Sequence, residues 1–334
     1  MTKQIKGVHH VTVMTSSGEK NYDWMTNVLG MRLVKKTVNQ DDVSAYHLFY
    51  ADDMGSPGTD MTYFEFKGLQ QKVDGTDGIH RTSFRVPSDR ALEYWLKRFE
   101  KYNVEHSEIL ERFGTKYIEF YDFDKQNYQL ISDEHDNGVA PGEPWHKGPI
   151  PDEFAIYGLG PVVLRVTKLD LMQSILENMF DFKKTKEEGN FHLFEVAEGG
   201  NGGSLIVEVN NELPRMRPGN GAIHHLALRV EDSDEIYEWI EAYNEGGYRH
   251  SGFVDRFYFQ SLYARLYPSM LFELATDGPG FIDYQEDYEH LGEKLALPPK
   301  FEPYRDQIVD LIDPIDTVRS DKIFEKEYLG FDNE

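Results

Sequence analysis

The sequence predicts an α+β fold of four βαβββ modules, paired into two cup-shaped mixed-sheet domains and followed by a C-terminal tail. Three observations lead there. A glycine-headed, strand-like run recurs four times, as GVHHVTV at Gly7, GIHRTSFRV at Gly78, GLGPVVLRV at Gly158 and GAIHHLALRV at Gly221, with starts 63 to 80 residues apart. Each run is followed by a polar cap and a segment of helical period, and each helix leads into alternating or aromatic-rich strands broken by Gly and Asp. One such unit cannot cover its own sheet, so units should pair with their concave faces meeting.

In the first module, about 7–70, the opening strand precedes a helix near 20–29 and strands near 44–50 and 61–66. The second, about 78–133, has a helix at 89–102 with Leu92, Trp95, Leu96 and Phe99 on one face, then strands at 116–120 and 128–131. The stretch 134–153 is rich in Pro, Gly and acidic residues, which divides the chain into an N-terminal half 1–135, a linker 136–153 and a C-terminal half 154–286. That half holds modules at about 158–212 and 221–286, with helices near 169–180 and 233–243. Gly199-Gly200-Asn201-Gly202-Gly203 lacks the Lys-Ser/Thr ending and following helix of a phosphate loop, and reads as a hairpin turn. From 287 to 334 the pattern stops, and a surface-packed tail is expected.

A chain of 334 residues exceeds what one hydrophobic core usually serves, and its 40% hydrophobic and 13% aromatic content suits globular folding. No apolar run approaches the roughly 20 residues that span a bilayer, and MTKQIKGVHH lacks the apolar region of a signal peptide, so a soluble, cytoplasmic protein is expected. The formal net charge of −24 argues against nucleic acid or an anionic membrane as partner. A homodimer is the default expectation for assembly.

The absence of cysteine leaves His, Asp and Glu as metal ligands. Two doubled histidines open corresponding strands, His9-His10 and His224-His225, and Glu273 follows the second pair in Leu271-Phe272-Glu273-Leu274. Two imidazoles and one carboxylate form a facial set that holds non-haem Fe(II) and leaves positions open for substrate and oxygen. The second repeat has Arg81 and the third Pro161 at the histidine position, so a shared metal cup should join modules one and four. Glu65, in Phe64-Glu65-Phe66, resembles Glu273 in its surroundings and is a candidate fourth ligand. Neighbouring strand residues face opposite ways, so one histidine of each pair should bind while the other lies at the edge or behind the sheet, and spacing alone does not say which. His47, His80, His106, His135, His146, His192 and His250 take the structural default. The aromatic residues Tyr46, Phe49 and Tyr63 read as sheet core, some of them walling a flat apolar pocket.

The segment Trp24-Met25-Thr26-Asn27-Val28-Leu29-Gly30-Met31, the doubled histidines and the four modules resemble the vicinal oxygen chelate superfamily of glyoxalases, bleomycin resistance proteins and extradiol dioxygenases. Within it the chain is most similar to hydroquinone-type ring-cleaving dioxygenases, through 255–263 (DRFYFQSLY) and the Leu297-Pro298-Pro299 tail. The resemblance implies Fe(II), or Mn(II), held by His10, His225 and Glu273, with His9, Thr12, His224, Arg256 and Tyr263 around an aromatic substrate that reacts with O2. It makes His224 and Tyr263 the acid–base candidates and Arg256 a holder of an anionic oxygen or an orienting group. Ala264-Arg265-Leu266-Tyr267-Pro268-Ser269 departs from the family pattern and puts the pocket rim, and so the substrate, in question. Two other functions compete. One is a glyoxalase-like lyase or isomerase using Ni(II), Zn(II) or Mn(II), with Glu65 completing a four-ligand set. The other is a protein that sequesters an aromatic compound without turnover.

Overall fold

A computed structural model describes residues 3–268 and 270–331, so Ser269 of the rim segment and the last three residues of the tail lie outside the described residues. The first module holds β1 (Val8–Thr15), α1 (Gly18–Asp23), β2 (Arg32–Asn39), β3 (Asp42–Ala51) and β4 (Asp60–Glu65). The second holds β5 (Gly78–Val86), α2 (Asp89–Lys101), β6 (Leu110–Arg112), β7 (Thr115–Tyr121) and β8 (Asn127–Ser132). The third holds β9 (Gly158–Leu159), β10 (Val162–Val166), α3 (Leu169–Ser174), β11 (Lys183–Glu188), β12 (Phe191–Glu195) and β13 (Ser204–Val209). The fourth holds β14 (Ile223–Val230), α4 (Ser233–Glu245), β15 (Val254–Asp255), β16 (Phe259–Tyr267) and β17 (Met270–Pro279), and the tail carries α5 (Arg305–Val309).

The α+β class is as expected, with two curled mixed sheets. One has the strand order β15-β16-β17-β14-β1-β4-β3-β2 and joins modules four and one; the other, β11-β12-β13-β10-β5-β8-β7-β6 with β9 beside β5, joins modules three and two. The first and last strands of each module run parallel, as β1 does with β4 and β14 with β17. Each sheet is fused at its centre by an antiparallel pair, β1 with β14 and β5 with β10.

Local chemistry accounts for the elements. The Ser88 hydroxyl caps α2 by accepting from Ala91 N–H, Asp89 lies in the first turn and Lys101 in the last, and Leu92, Trp95 and Phe99 are buried. Asp232 caps α4 in the same way, and Ile236, Trp239 and Tyr243 form its buried stripe. Helices expected at 20–29 and 169–180 are instead α1 and α3 followed by π-helical turns, Trp24–Val28 and Ile175–Met179. The glycine run is the β12–β13 turn, where Gly199 and Gly200 adopt φ of 69° and 70°. Pro161 has no N–H to give a ladder and separates β9 from β10; its carbonyl accepts from the Ser83 hydroxyl.

The tail packs along the edge of the first sheet. Leu291 and Leu297 are fully buried, Leu295 bridges to Lys36, and Lys35 Nζ meets the buried Glu286 Oε2 at 2.8 Å. The physical reason is that β2 is a sheet edge with unpaired backbone groups, which the tail covers. No helix among the described residues is long and apolar enough to cross a membrane.

Candidate metal centre

Strand register assembles the centre. On the fused pair, His10 stands opposite Ala227 and His225 opposite Thr12, so the two histidines are related by the local twofold between β1 and β14. On β17, Glu273 pairs with Ala227; the twofold-related partner, opposite Thr12 on β4, is Thr62. Glu65 lies three residues further on, opposite Thr15, where its Oε1 accepts from Gly18 N–H at 2.8 Å at the start of α1. The candidate fourth ligand is thus corrected: a three-residue offset carries Glu65 out of the cluster, and a threonine stands at the symmetric place.

His10 Nε2 lies 3.2 Å from His225 Nε2 and 3.2 Å from Glu273 Oε2, and His225 Nε2 lies 2.9 Å from the same oxygen. Bonds of about 2.1 Å at right angles put neighbouring donors about 3.0 Å apart, whereas tetrahedral angles put them about 3.4 Å apart. The 2.9 Å edge matches right-angle coordination and the two 3.2 Å edges lie between the two geometries, so the triangle is of a size to converge on one ion. All three residues are buried, and Glu273 Oε2 makes no properly directed hydrogen bond, while Oε1 accepts from Ser261 Oγ at 2.6 Å. A buried carboxylate oxygen left in that state is what a cation would satisfy. Burial alone would raise the Glu273 carboxyl, but the His10 and His225 imidazoles outweigh it and hold the group well below the usual carboxylate range. Burial also lowers His225.

Both doubled histidines share one geometry. His9 Nδ1 lies 2.9 Å from His10 Nδ1, and His224 Nδ1 lies 2.8 Å from His225 Nδ1. His9 Nε2 donates to the Thr276 carbonyl at 3.0 Å, so its Nδ1 must accept from His10 Nδ1–H, leaving the His10 Nε2 lone pair facing the centre. A register shift between Val8 and His10 is the strand distortion that lets neighbouring rings meet. Burial and the adjoining imidazole lower His9 and His224 to about 3, so both are neutral at pH 7. His224 Nε2 has no partner among the described residues.

The centre borders a cavity of about 430 Å³, walled by Phe49, Phe64, Tyr258, Phe259 and Leu271 and reached by His47, His224, Arg256 and Tyr263. Its size and apolar walls suit a small ring. The Phe259 ring centroid lies 5.1 Å from that of His10. Thr12 Oγ1 lies 2.9 Å from His225 Nε2 and 2.7 Å from Thr62 Oγ1. Arg256 Nε donates to Tyr263 Oη at 3.1 Å, and burial followed by the Glu273 charge raises the Tyr263 hydroxyl. Tyr46 and Tyr63 are core residues.

The structure brings together His10, His225 and Glu273, sets His9, Thr12, His224, Arg256 and Tyr263 around them, and leaves Glu65 outside. Sequence reasoning missed His47, Thr62, Ser261 and Thr276. His47, assigned the structural default, faces the cavity with Nε2 3.0 Å from Thr62 Oγ1, and burial holds it well below its ordinary pKa. Its signal was the two-residue alternation with Phe49 on β3; the others become visible only through cross-strand register.

A family model described as the Glyoxalase/Bleomycin resistance protein/Dioxygenase superfamily matches residues 7–131. MhqA of Bacillus subtilis, provisionally named a ring-cleaving dioxygenase, is 40% identical over 317 residues, covering 93% of this chain and 99% of that protein. The chlorohydroquinone/hydroquinone 1,2-dioxygenase of Sphingobium indicum is 30% identical over 328 residues, covering 94% and 98%. A Bacillus subtilis crystal structure, provisionally described as a dioxygenase, superposes with a TM-score of 0.87 at 34% identity, covering 95% of this chain and all of that one. Glyoxalase I from Zea mays superposes at 0.59 with 16% identity over 83% of this chain and 93% of that one, a likeness of fold. The chain belongs to the glyoxalase/bleomycin resistance protein/dioxygenase superfamily.

Proposed function

We propose that the protein is an Fe(II)-dependent dioxygenase that opens a hydroquinone-type aromatic ring, with Mn(II) as the alternative ion. The observation that carries this reading is the buried triangle of His10, His225 and Glu273 at the edge of a ring-sized aromatic cavity. The full-length similarity to proteins named for ring cleavage and for hydroquinone oxidation supports it. Fe(II) held there would supply adjacent open positions for a phenolic oxygen and O2 and the one-electron chemistry that joins them.

The chain's own residues do the rest. Phe49, Phe64 and Phe259 hold a flat ring and exclude water. His224 is neutral, and because its Nδ1 accepts from His225 Nδ1–H its Nε2 carries the proton and can donate a hydrogen bond to a substrate oxygen at the cavity. Tyr263 keeps its proton, because burial raises the hydroxyl, and can return one to a developing anion. Arg256 directs that hydroxyl and adds positive charge at the mouth. Both oxygen atoms enter the product as one ring bond breaks, giving a semialdehyde or keto acid without an external reductant. Thr62, at the position symmetric to Glu273, weighs against the two-His, two-carboxylate lyase reading.

The test is anaerobic loading with Fe(II), followed by oxygen-electrode assays with hydroquinone, methylhydroquinone and catechol, with His225→Ala as control. Stoichiometric oxygen uptake and an opened-ring product, both lost in the variant, are expected. One tightly held metal with no uptake on any substrate would overturn the reading, and unchanged ligand binding by His225→Ala would favour sequestration.

A further inference from the structure

We infer that Asp41 is a positioning residue for this reaction: from the β2–β3 turn its carboxylate clamps the Arg256 guanidinium against Tyr263, across the mouth of the cavity. The inference rests on the proposed ring-cleaving activity. Arg256 lies in the turn between β15 and β16, and Gln40 and Asp41 lie in the turn between β2 and β3, so the clamp joins opposite edges of one curled sheet. The two terminal nitrogens of Arg256 donate to Asp41 Oδ1 and Oδ2 at 3.3 and 3.0 Å, and Gln40 Nε2 donates to the Arg256 carbonyl at 2.7 Å. Asn39 Oδ1 accepts from Asp41 N–H at 2.9 Å and holds the turn.

The fork geometry leaves one guanidinium nitrogen for the interior, Nε, at 3.1 Å from Tyr263 Oη. A guanidinium only donates, so Tyr263 oxygen accepts there and its own proton is turned away from Arg256. Asp41 thus fixes the direction of a hydroxyl that it does not touch. The Asp41 side chain is 74% exposed and that of Arg256 19%, so the pair contributes little to stability and is open to screening by salt. The other cup is closed comparably: Lys186 Nζ donates to the Phe113 carbonyl at 3.0 Å and Phe113 N–H donates to Glu188 Oε2 at 2.8 Å, joining β11 to the β6–β7 turn. Both cups are thus closed across their edges, and in the first cup the closure is built through a side chain that reaches the cavity.

The experiment compares wild type with Asp41→Asn and Asp41→Glu, all loaded anaerobically with Fe(II). Three quantities are read: melting temperature, anaerobic binding of 4-nitrophenol by its absorbance change, and oxygen uptake with hydroquinone. In Asp41→Asn, an unchanged melting temperature is expected, with 4-nitrophenol affinity and kcat each reduced about tenfold through the misdirected hydroxyl, and Asp41→Glu should recover most of the loss. Sodium chloride at 0.5 M should move wild-type affinity toward the Asp41→Asn value and leave that variant unaffected. Equal binding by wild type and Asp41→Asn, with equal salt dependence, would overturn the inference. Should wild type consume no oxygen, the ring-cleavage reading fails, and the 4-nitrophenol arm still decides whether Asp41 orders the site.

Discussion

Glu273 is fully buried and held ionised by imidazoles rather than by a fixed cation of the chain. A carboxyl held below its usual range in the fold contributes stability in its charged form, and a bound metal adds to it, so loss of the charge and loss of the metal should both lower stability. Glu273→Gln retains the volume and can still accept from Ser261. Its metal-free form should melt below the wild-type temperature by differential scanning fluorimetry, and bound Fe(II) or Mn(II) should fall more than about tenfold by elemental analysis. A variant that melts with the wild type when metal-free and still retains the metal would remove Glu273 from the centre. The doubled histidines and this carboxylate were legible in the sequence because the same dipeptide opened two corresponding strands. Ser261, Thr276 and Asp41 were not, because each acts on a partner brought near by strand pairing or by closure of the cup.

At the scale of elements, register decides which carboxylate reaches the centre. The strings Phe64-Glu65-Phe66 and Phe272-Glu273-Leu274 look alike, yet Glu65 is opposite Thr15 and Glu273 is opposite Ala227. Loops between the paired strands differ in length, so no count along the chain exposes the offset; α2 and α4, by contrast, were legible from their own period and caps. Thr62 is the position where a second carboxylate would complete a four-ligand set, and Thr62→Glu tests that geometry directly. The added anion, placed beside Thr12 and His47, should raise Zn(II) or Ni(II) affinity in a competition assay and occupy a position needed by substrate or oxygen, so that uptake with hydroquinone falls by at least about a hundredfold. Retained oxygen uptake with unaltered metal affinity would mean that the β4 side chain does not face the ion. The same twofold explains the other cup, in which Arg81, Pro161, Gln129 and Ile206 take the places of His10, His225, Thr62 and Glu273 and offer no ligand set.

Across the whole molecule, the two cups are clasped by a polar network that the sequence did not disclose, since its members belong to different modules. The turn after β7 reaches into module one, where Asp124 accepts from Thr15 Oγ1 at 2.8 Å and from Ser16 Oγ at 2.6 Å. Beside it, Tyr63 of β4 and Tyr128 of β8 share a hydroxyl contact of 2.7 Å, and Tyr128 donates to Asp122 Oδ2 at 2.9 Å. Burial pushes the Asp122 carboxyl up to about 7, against the hydrogen bonds from Gln126 N–H and Tyr128 that favour its charged form. A carboxyl raised in the folded state retains its proton after the unfolded chain has lost its own. Its contribution to stability is therefore complete below about pH 4 and is lost as pH rises to about 7. Asp122→Asn cannot titrate, its Oδ1 can still accept from Asp124 and Gln126, and its amide can donate to Tyr128. Relative to wild type, the variant should gain on the order of 2–3 kcal/mol between pH 5 and pH 8, measured as the difference in urea unfolding free energy, since all other titrating groups cancel in the comparison. The same difference at both pH values would show that Asp122 is already ionised at pH 5, and that the clasp between the cups is held by a charge rather than by a neutral acid.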